Sequence, residues 1–286
     1  MGVTQQDSRQ VSAGTRILSL EAMAQCIPDG ARVALAQDST GVSMALTRAL
    51  VACGARGLRL VCVPIGGMQT DILIGAGCAD VVETSAVTLG EFGTGPRFAA
   101  ALKARSIRVL DATCPAIHAA LQAGQKGLPF MPLRGLLGTD VLAQRSDWKV
   151  IDNPFSPGDP IVLLPAIRPD VTFFHAPRAD RHGNVAIGRQ RDLLTMAQAS
   201  RSCYVTVEEI VDDDLMRDPA SSPGVIPAIY VDGIAHAPRG AYPLRFLDVY
   251  SMDEVAAGEY AAAAQTADGF DRWLARWVGE PALAGA

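Results

Sequence analysis

The chain has 286 residues, of which 49% are hydrophobic and 19% are charged. Hydrophobic content at this level, in a chain long enough for one large or two small cores, excludes wholesale disorder. The 25 basic and 30 acidic residues give a net charge of −5, so the chain has no overall electrostatic attraction for nucleic acid or for an anionic membrane surface. We expect neither as a partner.

The first 14 residues are polar and contain no apolar stretch, which predicts a flexible N-terminal leader rather than a secretory signal. No window of the sequence reaches the roughly 18 consecutive apolar residues that a membrane span needs. The six cysteines show no C-x-x-C spacing, and most lie in apolar runs, as reduced thiols do more often than zinc ligands. We therefore expect a cytoplasmic protein without a metal centre.

From residue 15 onward, short β-branched runs alternate with longer runs rich in alanine and leucine. The strands predicted in chain order are 32–36, 58–64, 81–85, 107–111, 161–165, 171–176 and 203–207. The predicted helices are 20–26, 41–53, 70–77, 97–104, 116–123 and 191–199, with one or two more in 252–278. This order predicts one α/β domain over residues 15–286, an open and mainly parallel sheet flanked by helices. Ser39 or Thr40 is expected to cap the helix over 41–53, and Gly54 to end it.

The segment 124–158 interrupts this alternation. It contains prolines and glycines, shows little periodicity, and is too apolar for a solvated linker. We expect an irregular but ordered insertion that covers a site or an interface.

Common catalytic motifs are missing from the sequence. There is no G-x-x-x-x-G-K-[ST] loop, no G-x-G-x-x-G after a strand, no H-E-x-x-H and no G-x-S-x-G. Phosphoryl transfer, dinucleotide redox chemistry and zinc-dependent hydrolysis are therefore disfavoured. In open α/β folds ligands bind beyond the carboxyl ends of the strands, so the glycine-rich loops carry more functional weight than the strands.

One such loop surrounds a single carboxylate. Glu91 lies among Gly90, Gly93 and Gly95, directly before a predicted helix. Glycines at this density let backbone amides approach a ligand, and a helix N-terminus offers unpaired N–H groups to a developing oxyanion. From the residues alone Glu91 is a nucleophile, a base or a helix cap, and the cap is the commonest of these roles.

The order of several segments resembles a known family. The matching segments are Leu60–Pro64 with Gly66 and Gly67, Leu73–Gly77, Ser85, Gly90–Gly93 with Pro96–Phe98, Gly127–Pro132, Gly138–Asp140, Asn153–Phe155, His175 with Arg178–Asp180 and Gly183–Asn184, and Val205–Val211. Together they resemble the α-subunit of family I coenzyme A transferases, nearest the glutaconate CoA-transferase branch. The resemblance covers roughly residues 14 to 250.

The resemblance implies an enzyme built from α- and β-subunits of similar fold, commonly as an α2β2 heterotetramer. Such enzymes move CoA between an acyl-CoA thioester and a carboxylic acid, and they hold no permanently bound cofactor. The β-subunit supplies the glutamate that attacks the thioester, and a glutamyl-CoA intermediate follows. This β-subunit is a separate chain, which we expect as the partner of this one.

An α-chain would then contribute groups that stabilise negative charge on the thioester oxygen. Backbone amides of Gly66, Gly67, Gly90, Gly93 and Gly95 are the candidates for this CoA-site and oxyanion role. Arg97 and Arg134 are candidates for holding a substrate carboxylate, although each is also compatible with an ion pair at the surface.

The first loop departs from the family pattern. Where many α-chains have a glycine-rich signature, residues 36–41 read Ala-Gln-Asp-Ser-Thr-Gly. One alternative is therefore a CoA-thioester ring-opening hydrolase of the steroid-degradation type, whose working glutamate is supplied by the α-subunit, here Glu91. Another alternative is a non-catalytic protein that binds acyl-CoA or assists assembly.

Overall fold

The computed structural model describes residues 15–279. The predicted leader, residues 1–14, lies outside this range. The strands of the described part are β1 (Arg16–Ile17), β2 (Arg32–Ala36), β3 (Leu58–Val63), β4 (Ala79–Thr84), β5 (Arg108–Asp111), β6 (Phe130–Leu133), β7 (Lys149–Asn153), β8 (Ser156–Pro165), β9 (Val171–Asp180), β10 (Val185–Ala186), β11 (Ser202–Val211), β12 (Val225–Ile226) and β13 (Gly233–His236). The α-helices are α1 (Leu20–Gln25), α2 (Met44–Ala52), α3 (Met68–Gly75), α4 (Pro96–Ala104), α5 (Cys114–Gln125), α6 (Asp140–Gln144), α7 (Arg191–Ala199), α8 (Glu254–Ala263) and α9 (Ala267–Gly279).

The main sheet is parallel along its whole central path, in the order β1-β13-β11-β9-β2-β3-β4-β5, with β10 and β12 attached antiparallel at one side. This confirms the predicted fold class. From the central pair β2 and β9, the chain proceeds outward in opposite directions, through β3 to β5 on one side and through β11 to β13 on the other. The carboxyl ends of β2 and β9 therefore form a topological switch point, the place where open α/β sheets bind ligands.

Both faces of the sheet are covered, because its strands are apolar on both sides. In β2, Val33 and Leu35 belong to one hydrophobic cluster, whereas Ala34 and Ala36 belong to the cluster on the opposite face. In β9, Phe173 and Phe174 are both almost fully buried. The sheet is thus the middle layer of the fold, and its polar loops are confined to its edges.

Each predicted strand and helix is present, mostly with small shifts at its ends. The largest correction at a helix start concerns α2, which begins at Met44 and is capped by Ser43, whose Oγ accepts the N–H of Leu46 at 3.3 Å. Capping by Ser39 or Thr40 was wrong, because residues 37–42 continue the loop after β2. Gly54, with φ of 72°, follows the helix as predicted.

The segment 124–158 is more regular than its composition indicates. It contains β6, α6 and β7, and with β8 it forms a three-stranded antiparallel sheet in the order β6-β8-β7. The irregularity expected for this segment was therefore wrong. Its strands are short and rich in proline and glycine, and they pair with β8, so local periodicity carries little of the signal. Leu136 and Trp148 anchor it in the core beside α5.

The C-terminal helices pack with their aromatic face inward. Phe270 and Trp273 of α9 are buried, and the ring of Trp273 lies 4.7 Å from that of Tyr260 in α8. Trp277 stacks on Trp273 at 5.3 Å. None of the helices between residues 15 and 279 is long and apolar enough to cross a membrane.

Candidate functional site

Three loops meet at the carboxyl edge of the main sheet, and hydrogen bonds hold them together. They are residues 37–43 after β2, residues 64–67 after β3 and residues 85–95 after β4. The N–H of Gly66 donates to the carbonyl of Ala86 at 2.9 Å, and the N–H of Thr88 donates back to Gly66 at 2.9 Å. Asp38 of the first loop accepts the N–H of Met68 at 3.0 Å. Loops that are far apart in the sequence therefore form one continuous polar edge.

Glu91 stands at the outer rim of this edge. It lies in a single 3₁₀ turn, Gly90–Phe92, and its side chain is exposed. It makes no hydrogen bond or ion pair with any residue of the described part of the chain. The neighbouring Phe92 packs towards α8, where a Cβ on Gly258 would lie 3.4 Å from its ring. Glu91 is thus a free carboxylate on a loop that rests against α8.

Glu91 does not cap the helix that follows it. Asp71 of α3 takes that role, because its carboxylate accepts the N–H of Phe98 at 2.7 Å and that of Arg97 at 3.3 Å, both in the first turn of α4. Tyr260 of α8 donates its hydroxyl to the same carboxylate at 2.6 Å. Burial raises the pKa of Asp71, and these three hydrogen bonds oppose that shift.

Four of the five predicted oxyanion donors are already paired inside the loops. Their backbone N–H groups donate as follows: Gly66 to Ala86, Gly90 to the hydroxyl of Thr88 at 3.2 Å, Gly93 to Gly90 at 3.0 Å, and Gly95 to Val87 at 3.1 Å. Their role in this structure is to shape the loops, and Gly90 and Gly93 do so with φ of 64° and 86°. The amide of Gly67 makes no such bond within residues 15–279, which leaves it as the predicted donor that is free.

Asp38 is a site residue that the motif search did not single out. Its Oδ2 accepts the N–H of Met68 at the amino end of α3, while its Oδ1 is buried without a hydrogen-bond partner among the described residues. Burial raises the pKa of Asp38 to about 6, and the charge of Asp71 adds to the shift. The available signal was its position, directly after a buried strand at the edge where ligands bind.

The two predicted substrate-binding arginines lie elsewhere. The guanidinium of Arg97 lies 5.5 Å from the ring centre of Phe270 in α9, in a crevice between α3, α4 and α9, and its Nη1 is buried without a hydrogen-bond partner among the described residues. Arg134 follows β6 in the three-stranded sheet, where its fork binds the carboxylate of Asp159, with Nε at 3.0 Å from Oδ1. For Arg134 the structure has the ion pair, which leaves its fork occupied.

The matching motif around His175 is structural in this chain. His175 is completely buried, and its Nδ1 lies 2.9 Å from the hydroxyl of Thr206, which in turn lies 2.7 Å from that of Ser43. Its Nε2 lies 2.7 Å from Glu208. Burial lowers the pKa of His175, against the effect of Glu208, so the ring is neutral near pH 7 and fixes β9, β11 and α2 to one another.

No group of His, Cys, Asp and Glu side chains within the described residues could hold a metal ion. The polar atoms at the carboxyl edge are instead carboxylates, hydroxyls and backbone amides. These groups suit a substrate that carries a carbonyl or a carboxylate.

An open parallel sheet with glycine-rich loops and carboxylates at its switch-point edge defines an α/β protein built for acyl or carboxylate chemistry at that edge. The chain matches the family model described as Coenzyme A transferase over residues 17–237. It therefore belongs to the coenzyme A transferase family, as the sequence predicted.

Relatives in sequence agree with this assignment. One of the two kinds of chain of the 3-oxoadipate CoA-transferase of Pseudomonas knackmussii is 30% identical over 265 residues, which are 90% of this chain and 91% of the relative. An uncharacterised protein of Archaeoglobus fulgidus is 32% identical over 263 residues, but the chain spans only 58% of its length. A protein of Rhodococcus jostii, named cholesterol ring-cleaving hydrolase IpdA subunit, is 28% identical over 82% of each chain.

The structure is also similar to that of glutaconate coenzyme A-transferase from Acidaminococcus fermentans. The TM-score is 0.86 and the identity 26%, over 92% of this chain and 89% of the other. These findings confirm the fold and the enzyme class predicted from the sequence, a CoA-transferase subunit. The comparisons do not test the roles predicted for individual residues.

Proposed function

We propose that this chain is the α-subunit of a heteromeric cytoplasmic CoA-transferase, which exchanges CoA between an acyl-CoA thioester and a carboxylic acid. Its partner is a β-subunit that supplies the attacking glutamate, in an α2β2 assembly. The substrates are an acyl-CoA and a free carboxylate, and no permanently bound cofactor takes part.

The observation that carries this proposal is the state of Glu91. A catalytic carboxylate needs neighbours that orient it and remove it from water, as nucleophile–base pairs do. Glu91 is exposed and makes no bond within the described residues, so this chain alone holds no oriented carboxylate at its glycine-rich edge. A second chain placed over the edge would both bury that edge and bring the missing group.

The reaction proceeds by four acyl transfers. The partner's glutamate attacks the thioester carbonyl and expels CoA thiolate, which leaves an acyl-glutamyl anhydride. The thiolate attacks the glutamyl carbonyl of this anhydride and releases the first carboxylate, which gives glutamyl-CoA. The incoming carboxylate attacks glutamyl-CoA and again expels the thiolate, and the thiolate then attacks the new acyl group and frees the glutamate.

Each attack places negative charge on a carbonyl oxygen, and this chain offers a donor for it. The amide of Gly67 is free within the described residues and lies at the amino end of α3, where the helix dipole favours negative charge. Asp38 covers the same helix end. A protonated Asp38 is compatible with an oxyanion there, whereas an ionised one repels it.

A ring-opening hydrolase is the second candidate, because Glu91 is free to act on water and one relative is named for that reaction. In this alternative Glu91 removes a proton from the water that attacks the CoA thioester substrate. Glu91→Gln separates the two functions. The hydrolase loses its activity, whereas a transferase with a partner glutamate keeps most of its turnover.

The proposal is tested by combining the chain with the β-chain encoded beside it and measuring CoA transfer from a panel of acyl-CoA donors to acetate and to dicarboxylates. We expect transfer only from the combined chains, and trapping of glutamyl-CoA by borohydride or hydroxylamine on the β-chain. Thioester hydrolysis that Glu91→Gln abolishes would replace the proposal by the hydrolase. CoA binding without turnover or trapping would indicate the non-catalytic alternative.

A further inference from the structure

A second charged site lies inside the molecule, around the first residues of β2 and β3. A cavity of about 130 Å³ lies between the main sheet, α5 and the three-stranded sheet. Its charged and aromatic lining consists of Arg32, Arg59, Glu83, Arg145, Asp147 and Trp148. Glu91 follows the carboxyl end of β4, so this cavity is separate from the candidate site.

The strand register brings two of these arginines side by side. Arg32 of β2 and Arg59 of β3 are cross-strand partners, so their side chains project from the same face of the sheet. Like charges at directly opposite positions destabilise a sheet unless something neutralises them. Arg145 reaches the same cavity from the segment after α6 and lies 4.2 Å from the ring centre of Trp148.

The acids of the cavity do not balance these arginines. Glu83 accepts from Arg32 at 2.6 Å and from Arg145 at 2.8 Å, and Asp147 pairs with Arg145 at 2.9 Å. Arg59 makes no hydrogen bond or ion pair with the described residues. Three cations against two anions leave the lining with a formal charge of +1, and the unused donors belong to Arg59 and to Nε and Nη1 of Arg32.

We propose that this cavity binds a small oxyanion of the phosphate type between Arg32 and Arg59. The planar guanidinium fork matches the oxygens of such an anion and donates two parallel hydrogen bonds. A water takes about 30 Å³ of liquid volume, so the cavity holds roughly four waters or one phosphate-sized ion.

The bound anion would join two parts of the fold. Arg32 and Arg59 belong to the main sheet, whereas Arg145 and Asp147 belong to the segment that carries the three-stranded sheet. An anion held by the first pair neutralises the repulsion between them and strengthens the wall against which the second pair packs. Binding therefore stabilises the native state in proportion to the logarithm of anion concentration above its Kd.

The test is titration calorimetry of the full chain with inorganic phosphate at constant ionic strength, with chloride as the reference anion. We expect saturable binding with one phosphate per chain, and a melting temperature that rises with phosphate but not with chloride. Arg59→Gln should weaken binding about tenfold, the loss expected for one charge-assisted contact of about 1.4 kcal/mol. Arg59 is exposed, so its replacement leaves the core intact.

Two further variants make the test specific. Asp147→Asn removes a negative charge from the lining and should tighten phosphate binding, a change in the opposite direction that general destabilisation does not produce. Arg272→Gln, on the exposed side of α9, is the matched control and should leave the Kd unchanged. Succinate in place of phosphate shows whether the site takes a carboxylate as well. Absence of saturable binding, or equal losses in Arg59→Gln and Arg272→Gln, would refute the site.

Discussion

The carboxylate of Asp38 lies directly against the α-carbon of Gly67. A Cβ at Gly67 would lie 2.0 Å from both Cγ and Oδ1 of Asp38, well inside any normal contact. The backbone of Gly67 has φ of −123°, so glycine is needed there for space rather than for a left-handed conformation. The first two loops of the candidate site are thus fitted to each other through these two residues.

Gly67→Ala should lower the free energy of unfolding by about 1–2 kcal/mol, because the methyl group displaces Asp38 from the N–H of Met68. Gly135→Ala is the matched control, since nothing lies within 4 Å of a Cβ there, and it should be nearly neutral. Urea denaturation measures both. The double variant Gly67→Ala/Asp38→Ala should lose less than the sum of its single changes, because the clash has one cause. Equal losses in the two glycine variants would contradict the close contact.

Asp38→Asn should change how stability depends on pH. Burial raises the pKa of Asp38 to about 6 from an ordinary value of 3.8, so the folded state holds this proton more tightly than the unfolded state. The stabilisation from the proton is complete below pH 3.8 and is lost as the pH rises through 6. Asparagine keeps an acceptor for Met68 and carries no charge. The stability of the variant relative to the wild type should therefore increase between about pH 4 and pH 7.

A shift of about two pKa units sets the size of this increase at about 3 kcal/mol. Urea denaturation of both proteins at a series of pH values gives the difference directly, and subtraction removes the titration of all other groups. A difference that stays constant over this whole pH range would show that Asp38 titrates as an ordinary surface carboxylate.

The strands, the helices and the loop of Glu91 were predictable because each depends on neighbours in the sequence. β2 and α7 have the predicted bounds, since alternation and helical spacing are local patterns. The three-stranded sheet was missed because its strands pair across turns and prolines. Asp71 was missed because it lies within a helix and becomes a cap only when α4 packs against it.

The free amides were also mispredicted, for a physical reason. A glycine-rich loop has many unpaired backbone groups, and these pair with one another unless a ligand competes. Gly66 binds Ala86 in this way, and Gly95 binds Val87. The arginine pair of the cavity was missed for the opposite reason, since Arg32 and Arg59 come together only through the register of two strands.

Tyr260→Phe should lower the free energy of unfolding by about 1.5–3 kcal/mol, because it removes a hydrogen bond to the buried carboxylate of Asp71. Tyr242→Phe is the matched control. Its hydroxyl donates to Asp253 at a similar distance of 2.7 Å, but Asp253 is only half-buried and is reached by water. We expect a clearly smaller loss there in thermal or urea denaturation. If both variants lose the same amount, the Asp71 cluster is no more enclosed than the surface pair.

Glu83→Gln should be the most damaging of these substitutions. Glu83 and Arg145 have side chains only 5% and 4% exposed, and Glu83 binds Arg32 as well. Removing one charge from a buried pair leaves the other uncompensated, which costs about 3–5 kcal/mol. Asp147 still pairs with Arg145, so we expect a loss at the lower end, about 3 kcal/mol. The measurement is urea denaturation in chloride buffer free of phosphate.

Asp159→Asn provides the comparison, because Asp159 forms the same kind of ion pair with Arg134, whose side chain is 66% exposed. Water screens that pair, and both side chains lose conformational freedom to form it, so little or no measurable change is expected. Should Glu83→Gln be as mild as Asp159→Asn, the buried pair would be no stronger than an exposed one. The cavity beside it would then lack the fixed charges on which anion binding depends.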